Sequence, residues 1–456
     1  MVLAMDNLET LQTDLIKPPK AKGLPLLGNL LDLVGDPINF LRTQHERHGD
    51  IFHVSALHKK YTVIAGVEAN RFMSSEGRDN FSSQETWGDF VDKTDCPHLL
   101  IGSDGEAHSY QRKLLKPYFS KAAFKDRLPL LIEPIESTMK AIQSEDVVIG
   151  PFLRNLICKQ IGMVLQRTAV STEQSEAFML AQNTYLKIYM LGKWPRILLL
   201  NPKFIFADIK TKRFSKQLIA SNKARDKQQD NFVTYMDKVE EGRAEHPEWF
   251  TDGDVHGHTM LPFVGGVDPA GGTMSFVLYE LLKNPELKQR ITREIDANYS
   301  EGFPSFEAMD AMEDVKGLIY ETLRLHPAGY ALSRTAAKDF VFSGYKINKG
   351  DEMLVFGVAN HFKEEYFAKP DVFDIERYRE PRNEHKTRHA FAPFGRGPHT
   401  CVANKLAELQ LTVNTIVMLR HVDMELLVPL DKLKKEFTPV PFVSENFKVR
   451  FTARAV

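Results

Sequence analysis

The chain has 456 residues, 43% of them hydrophobic, and its 59 Lys+Arg nearly cancel its 60 Asp+Glu to leave a formal charge of -1. That size suits a large core, and the charge balance excludes a broad electrostatic footprint for nucleic acid or an acidic membrane, leaving only local basic patches. Three cysteines, Cys96, Cys158 and Cys401, are far apart and odd in number, which argues against a disulfide scaffold and for a reducing, cytoplasmic setting.

The opening stretch MVLAMDNLETLQTDLIK carries Asp6, Glu9 and Asp14 and no apolar run of spanning length, so neither a signal peptide nor a transmembrane anchor is expected. Residues 1–17 read as an N-terminal extension, and PPKAKGLPLLGN (18–29) as the irregular entry to a domain running over 18–456. Helical spacing predicts helices at 37–48, 67–74, 105–118, 125–142, 150–168, 172–190, 208–240, 255–295, 305–325 and 402–420. Strand-like runs are fewer: 50–56, 61–65, 340–347, 352–357 and 445–453, with the glycines of GYKINKGD (344–351) suited to turns. The pattern implies a mainly α fold with small β-sheets (α+β), in one large domain rather than alternating βαβ units. YMLGKWPRILLLNPKFIF (189–206) is strongly apolar but broken by Gly192, Pro195 and Pro202. It reads as a buried helix junction, with a lid over an apolar cavity or a shallow membrane contact as alternatives.

Inside the 255–295 pattern lies FVGGVDPAGGTMSF (263–276), with Gly265, Gly266, Gly271, Gly272 and Pro269. At about 1 kcal/mol per interior glycine and about 3 for the proline, the run disfavours a helix by roughly 7 kcal/mol, so an interruption is expected here. FAPFGRGPHTCVANKLAELQL (391–411) is a shaped loop, with Gly395 and Gly397 before Pro398, that delivers Cys401 to the start of a helix. A cysteine so placed is a small buried hydrophobe, a catalytic nucleophile, or an axial thiolate to a haem iron.

This loop resembles the haem-binding signature of the cytochrome P450 superfamily, Phe-x-x-Gly-x-Arg/His-x-Cys-x-Gly/Ala, matched by Phe394, Gly397, His399, Cys401 and Ala403. The resemblance implies a single haem-thiolate domain binding haem b, with Cys401 on the iron, Phe394 beside the thiolate, Gly395 and Gly397 shaping the loop, and His399 reaching a propionate. Glu321 and Arg324 in YETLRLHP, an ordinary surface pair when taken alone, match the family's Glu-x-x-Arg. Pro370, Phe373 and Arg377 match the segment that supplies its second arginine, which makes the trio structural. His108 and Arg112 share a helix face that is otherwise read as a solvated basic stripe. In the family they, and Arg334 from a strand, point at the propionates.

By the same resemblance the 263–276 run is the helix over the distal haem face. Aligned through SFVLYELLKNP, Gly265 and Gly266 take the family's small pair, Asp268 its acid, and Pro269 the place of its threonine. A shifted register would make Thr273 the catalytic threonine. Asp268 could instead cap a helix restarting at Pro269, a role compatible with proton relay. The implied activity is a monooxygenase hydroxylating or epoxidising a lipophilic small molecule of terpene, sterol or fatty type. Electrons would come from a ferredoxin or flavodoxin and its reductase, meeting Lys386, Arg388, Arg396 and Lys405. The alternatives are a peroxide-using or partner-independent haem-thiolate enzyme and a non-catalytic haem-based ligand binder. The expected cavity walls are the 84–101 loop, the 178–206 region, Gly265, Asp268, Ala328–Leu332 and the turn near Pro439–Phe442. A monomer is expected.

Overall fold

A computed structural model describes residues 17–190, 195–226, 232–299 and 302–455. Helix accounts for 57% of the chain, so the fold is mainly α with small sheets, as its spacing predicts. Residues 1–16 of the expected extension, and Gly192, lie outside the described residues.

Two compact units emerge from the tracing. One comprises the chain up to Thr86 with Gly329–Asp371 and Glu384–Thr400; the other comprises Trp87–Ala328, Val372–Asn383 and Cys401–Val456. The first is built on a five-stranded sheet in the order Ile51–Ala56, Lys59–Ala65, Glu352–Phe356, Leu332–Ala336, Phe81–Ser82. Lys59–Ala65 pairs in parallel with Glu352–Phe356, and Arg334 lies opposite Met353 in the antiparallel neighbour. Its core gathers Ile51, Ile64, Phe72, Phe81, Met353 and Val355. The expected strand at 340–347 is a hairpin of Phe340–Phe342 and Tyr345–Ile347, folded at Ser343 and Gly344, both with positive φ.

The second unit is helical. Its centre is a 32-residue helix, Asp252–Lys283, started by a capping box in which Thr251 and Asp254 exchange side-chain bonds with each other's backbone N–H. The helix packs against Ile149–Gln166 and against Asn404–His421, which follows the cysteine loop. Contrary to expectation it runs unbroken through Pro262 and Pro269. The break falls later, at Asn284-Pro285, where Asn284 accepts from the N–H of Leu287 to cap Pro285–Asn298. Other long patterns also divide: 208–240 holds Pro202–Ala224 and Tyr235–Glu245, and 305–325 holds Phe306–Ala311 and Glu313–Leu325. Strands at Ser144–Val148 and Val422–Leu426, and a helix at Gln84–Lys93 within the expected 84–101 loop, are not among the elements the spacing predicts, although VDMEL (422–426) alternates apolar and polar residues. In 189–206, Arg196–Leu200 forms a 3-10 turn, and Asn201 caps Pro202–Ala224 by accepting from the N–H of Lys203. No helix among the described residues is long and apolar enough to cross a membrane.

Candidate active site

The three cysteines divide sharply. Cys96 and Cys158 are buried, their thiols pushed up to about 11 and about 12 by burial and held by Thr94 and Ser175. Cys401 has open surface. It is nevertheless ringed by protein at longer range, so burial still pushes its thiol up, while the N–H of Ala403 and the Arg112 guanidinium pull it back towards the thiolate. It lies just ahead of Asn404–His421, where the helix dipole adds to that pull.

Arg112 sits on the helix Gly105–Leu115, one turn after the buried His108. Burial lowers the Arg112 guanidinium from its ordinary value and the nearby Cys401 opposes it, so cation and sulfur share one environment. His108, Arg112 and Cys401 lie in one unit of the structure, with Arg112 within electrostatic reach of the sulfur.

In the other unit, Gly395 and Gly397 adopt φ of 73° and 81°. At Gly397 a Cβ would stand 2.5 Å from the carbonyl oxygen of Met73, so backbone strain and lack of space both require glycine. Phe394 and His399 on this loop are half-buried. Arg334, on the strand Leu332–Ala336, is buried and donates to its neighbour Ser333 carbonyl at 2.6 Å.

The Glu321 cluster is a buried polar network in which the carboxylate has several donors. Glu321 accepts from Arg324 Nε and Nη2, both at 2.7 Å, from Arg377 Nε at 3.1 Å and from the Asp374 N–H at 2.9 Å. It also accepts from the Tyr378 hydroxyl at 2.7 Å, a partner the sequence reading missed. Only the tracing, which sets Tyr378 beside Arg377 on one short 3-10 turn, brings that hydroxyl in. Glu321, Arg324 and Arg377 are all 0% exposed, and each buried charge has an opposite partner.

On the central helix Asp268 and Thr273 have different surroundings. Thr273 is buried and its hydroxyl donates back to the Pro269 carbonyl at 2.9 Å. Asp268 is not a cap, because Pro269 lies inside a continuous helix rather than at its start. Instead Asp268, 2% exposed, accepts from Arg154 Nε at 2.8 Å through Oδ1, and its buried Oδ2 has no hydrogen-bond partner among the described residues. Burial raises the Asp268 carboxyl above its ordinary value, with Arg154 and then Lys187 opposing. Arg154 in turn lies over the Phe442 ring, 4.4 Å from its centroid. Nothing in the sequence singles out Arg154, which is 114 positions from Asp268. Gly266 leaves room for Ile161, which would stand 2.7 Å from an added Cβ, whereas a Cβ at Gly265 would meet nothing within 4 Å.

Comparison with known proteins adds to this geometry. The Cytochrome P450 family profile matches residues 18–451. A cyclooctat-9-en-7-ol 5-monooxygenase of Streptomyces melanosporofaciens is 26% identical over 449 residues, covering 92% of this chain and 94% of that enzyme. A sterol 14alpha-demethylase of Mycolicibacterium vanbaalenii is 32% identical over 208 residues, which span 45% of this chain and only 46% of that protein. With the profile running through both the cysteine loop and the Glu321 cluster, the chain belongs to the cytochrome P450 family, the haem-thiolate monooxygenases.

Proposed function

We propose that this enzyme oxidises a lipophilic small molecule at a haem b whose axial ligand is Cys401. The observation that carries the reading is the accessible Cys401 thiol, met by the Ala403 N–H and the Arg112 cation, when the other two cysteines are buried. The residues fit the group: a thiolate donor with the cation of Arg112 beside it and His108 one turn away on the same helix, while the family resemblance assigns Arg334 and His399 to the propionates as well. Bound haem supplies the redox chemistry that activates dioxygen, with electrons from a ferredoxin or flavodoxin and its reductase.

The chain's own residues then have separable tasks. Ala403 N–H and Arg112 stabilise the sulfur anion. Gly397, with its positive φ, shapes the loop that leads to Cys401, and the family resemblance assigns Phe394 to the thiolate. Asp268 holds or passes a proton at Oδ2 while Arg154 fixes Oδ1, the general acid role that Pro269 cannot take because it has neither hydroxyl nor N–H. Thr273, whose hydroxyl donates to the Pro269 carbonyl, is the second candidate for the missing hydroxyl. The two relatives are named for a cyclooctatenol and a sterol, which supports a bulky, mostly apolar substrate of terpene or sterol type.

Pro269 also favours a second reading, in which peroxide replaces dioxygen and external electrons. Turnover with NAD(P)H and surrogate redox partners, compared with turnover on peroxide alone, separates the two. Conversion only with peroxide would establish the second. Purification of the protein without bound haem would sink both.

A further inference from the structure

Six of the fifteen large apolar side chains left exposed among the described residues lie together near the start of the chain: Leu24, Leu26, Leu27, Leu31, Val34 and Leu57. The backbone makes them one surface. Leu24 and Gly28 exchange N–H bonds at 2.8 Å to close a tight loop, and the N–H groups of Leu30 and Leu57 both donate to the Leu27 carbonyl at 3.2 Å. Leu27, Leu31 and Val34 then follow at i, i+4 and i+7, running onto the helix Leu30–Gly35, none of whose residues is buried. The loop is firmly held, because the buried Asn29 side chain donates to the Lys22 carbonyl at 2.7 Å and accepts from the Ser55 N–H at 3.2 Å. Leu26 is the clearest misfit, 93% exposed at a φ of 63°. Its backbone is strained and its side chain gains nothing from solvent, which marks a surface built to be covered. Lys20, Lys22, His58, Lys59 and Lys60 are exposed in the segments that flank it, against Asp32 and Asp36 on and beside the helix and Glu352, which pairs with Lys59.

The chain just ahead of this surface has a complementary sequence. Residues 1–16, which lie outside the described residues, read MVLAMDNLETLQTDLI. Leu8, Leu11 and Leu15 recur at i, i+3 and i+7, Asp6 followed by Glu9 is a helix-start signal, and Pro18-Pro19 is a stop. The charged side chains of the segment, Asp6, Glu9 and Asp14, are all acidic. In helical register Glu9 and Asp14 fall roughly 90–130° to either side of the leucine stripe, where they meet a basic rim while the leucines face inward. A helix of this length is too short to hold in isolation and needs a surface to pack on. Tethered within a few residues of Leu24, it meets this one at an effective concentration of about millimolar. An anionic membrane would be repelled by Asp6, Glu9, Asp14 and Asp32, and a second copy would set one basic rim against another.

We propose that residues 7–16 dock as an amphipathic helix on the Leu26–Leu31–Val34 surface of their own chain. Leu8, Leu11 and Leu15 cover the exposed leucines, and Glu9 and Asp14 face the lysine rim. The docked segment keeps this surface from membranes and from other copies of the chain.

The test is hydrogen–deuterium exchange of the full-chain holoenzyme, read by mass spectrometry on peptides within residues 1–16. Synthetic peptides of the same sequence as each segment serve as undocked references. The docked segment should exchange about tenfold more slowly than its peptide or more. Leu26→Asp with Leu31→Asp alters two exposed positions and leaves the core intact. It should bring exchange to within about twofold of the peptide, as should Leu8→Asp with Leu11→Asp in the segment itself. Lys20→Glu with Lys22→Glu should cut the protection several-fold. Native exchange as fast as in the peptide, or protection that survives both leucine double variants, overturns the docking. So does full-chain binding to phosphatidylglycerol vesicles, or dimerisation in sedimentation, that Leu26→Asp with Leu31→Asp abolishes, because the surface then serves another occupant.

Discussion

Replacing Glu321 by Gln keeps the shape of the side chain and deletes its charge. In the native fold Glu321 receives Arg324, Arg377, Tyr378 and the Asp374 N–H, all at 3.1 Å or less. Its two arginines are fully buried and have no solvent to fall back on. Burial pushes the Tyr378 phenol well up, so it remains a donor throughout the working pH range. Glu321→Gln leaves two cations sharing one neutral carbonyl and turns an NH2 group towards donors. Breaking a buried ion pair in this way costs about 3–5 kcal/mol, against a total folding stability of about 5–15 kcal/mol. With a urea slope of about 3 kcal/mol per molar, the unfolding midpoint should fall by roughly 1 M or slightly more, with the slope unchanged. Tyr378→Phe removes one hydrogen bond to a charged acceptor and should cost about 1.5–3 kcal/mol. A loss below about 1 kcal/mol for Glu321→Gln would refute the argument that this carboxylate neutralises both arginines.

Cys401→Ala should abolish the red-shifted Soret band of the ferrous–CO complex that marks thiolate ligation, and retention of that band would remove Cys401 from the iron. In haem-free protein iodoacetamide should label Cys401 first and Cys158 last, and mass spectrometry of partly labelled samples gives the order. Gly397→Ala combines a left-handed backbone with a 2.5 Å contact to the Met73 carbonyl, so it should lower stability by at least about 1 kcal/mol and weaken haem retention on dialysis. Asp268 sets a pH signature. Because burial raises its carboxyl in the folded state, the fold binds this proton more tightly than the unfolded chain does. Its contribution is therefore most favourable below the ordinary carboxylate range and declines as pH rises through the raised value. Arg154→Met should steepen that decline and Asp268→Asn should erase it, as read from urea unfolding between pH 4 and 8; a parallel shift at all pH values would break the link.

What the sequence discloses and what it hides follow from the range of the interactions. The cysteine loop is legible because its signals are local: positive φ at Gly395 and Gly397, then a helix of good formers. The Glu321 cluster is half legible, since Arg324 is three positions away while Tyr378 arrives only through the tertiary fold. Arg154 is invisible for the same reason. The central helix shows the opposite failure, in which local propensity speaks clearly and is overruled. Against the roughly 7 kcal/mol that the Gly and Pro run costs, the helix buries Phe263, Val267, Met274, Phe276, Val277 and Leu278 almost completely. At about 1.5–3 kcal/mol per side chain, that burial offsets the local penalty with room to spare. Packing can hold the helix together, but it cannot return the N–H that Pro269 lacks. The residual cost therefore sits at Pro269, inside a helix that its buried face holds continuous.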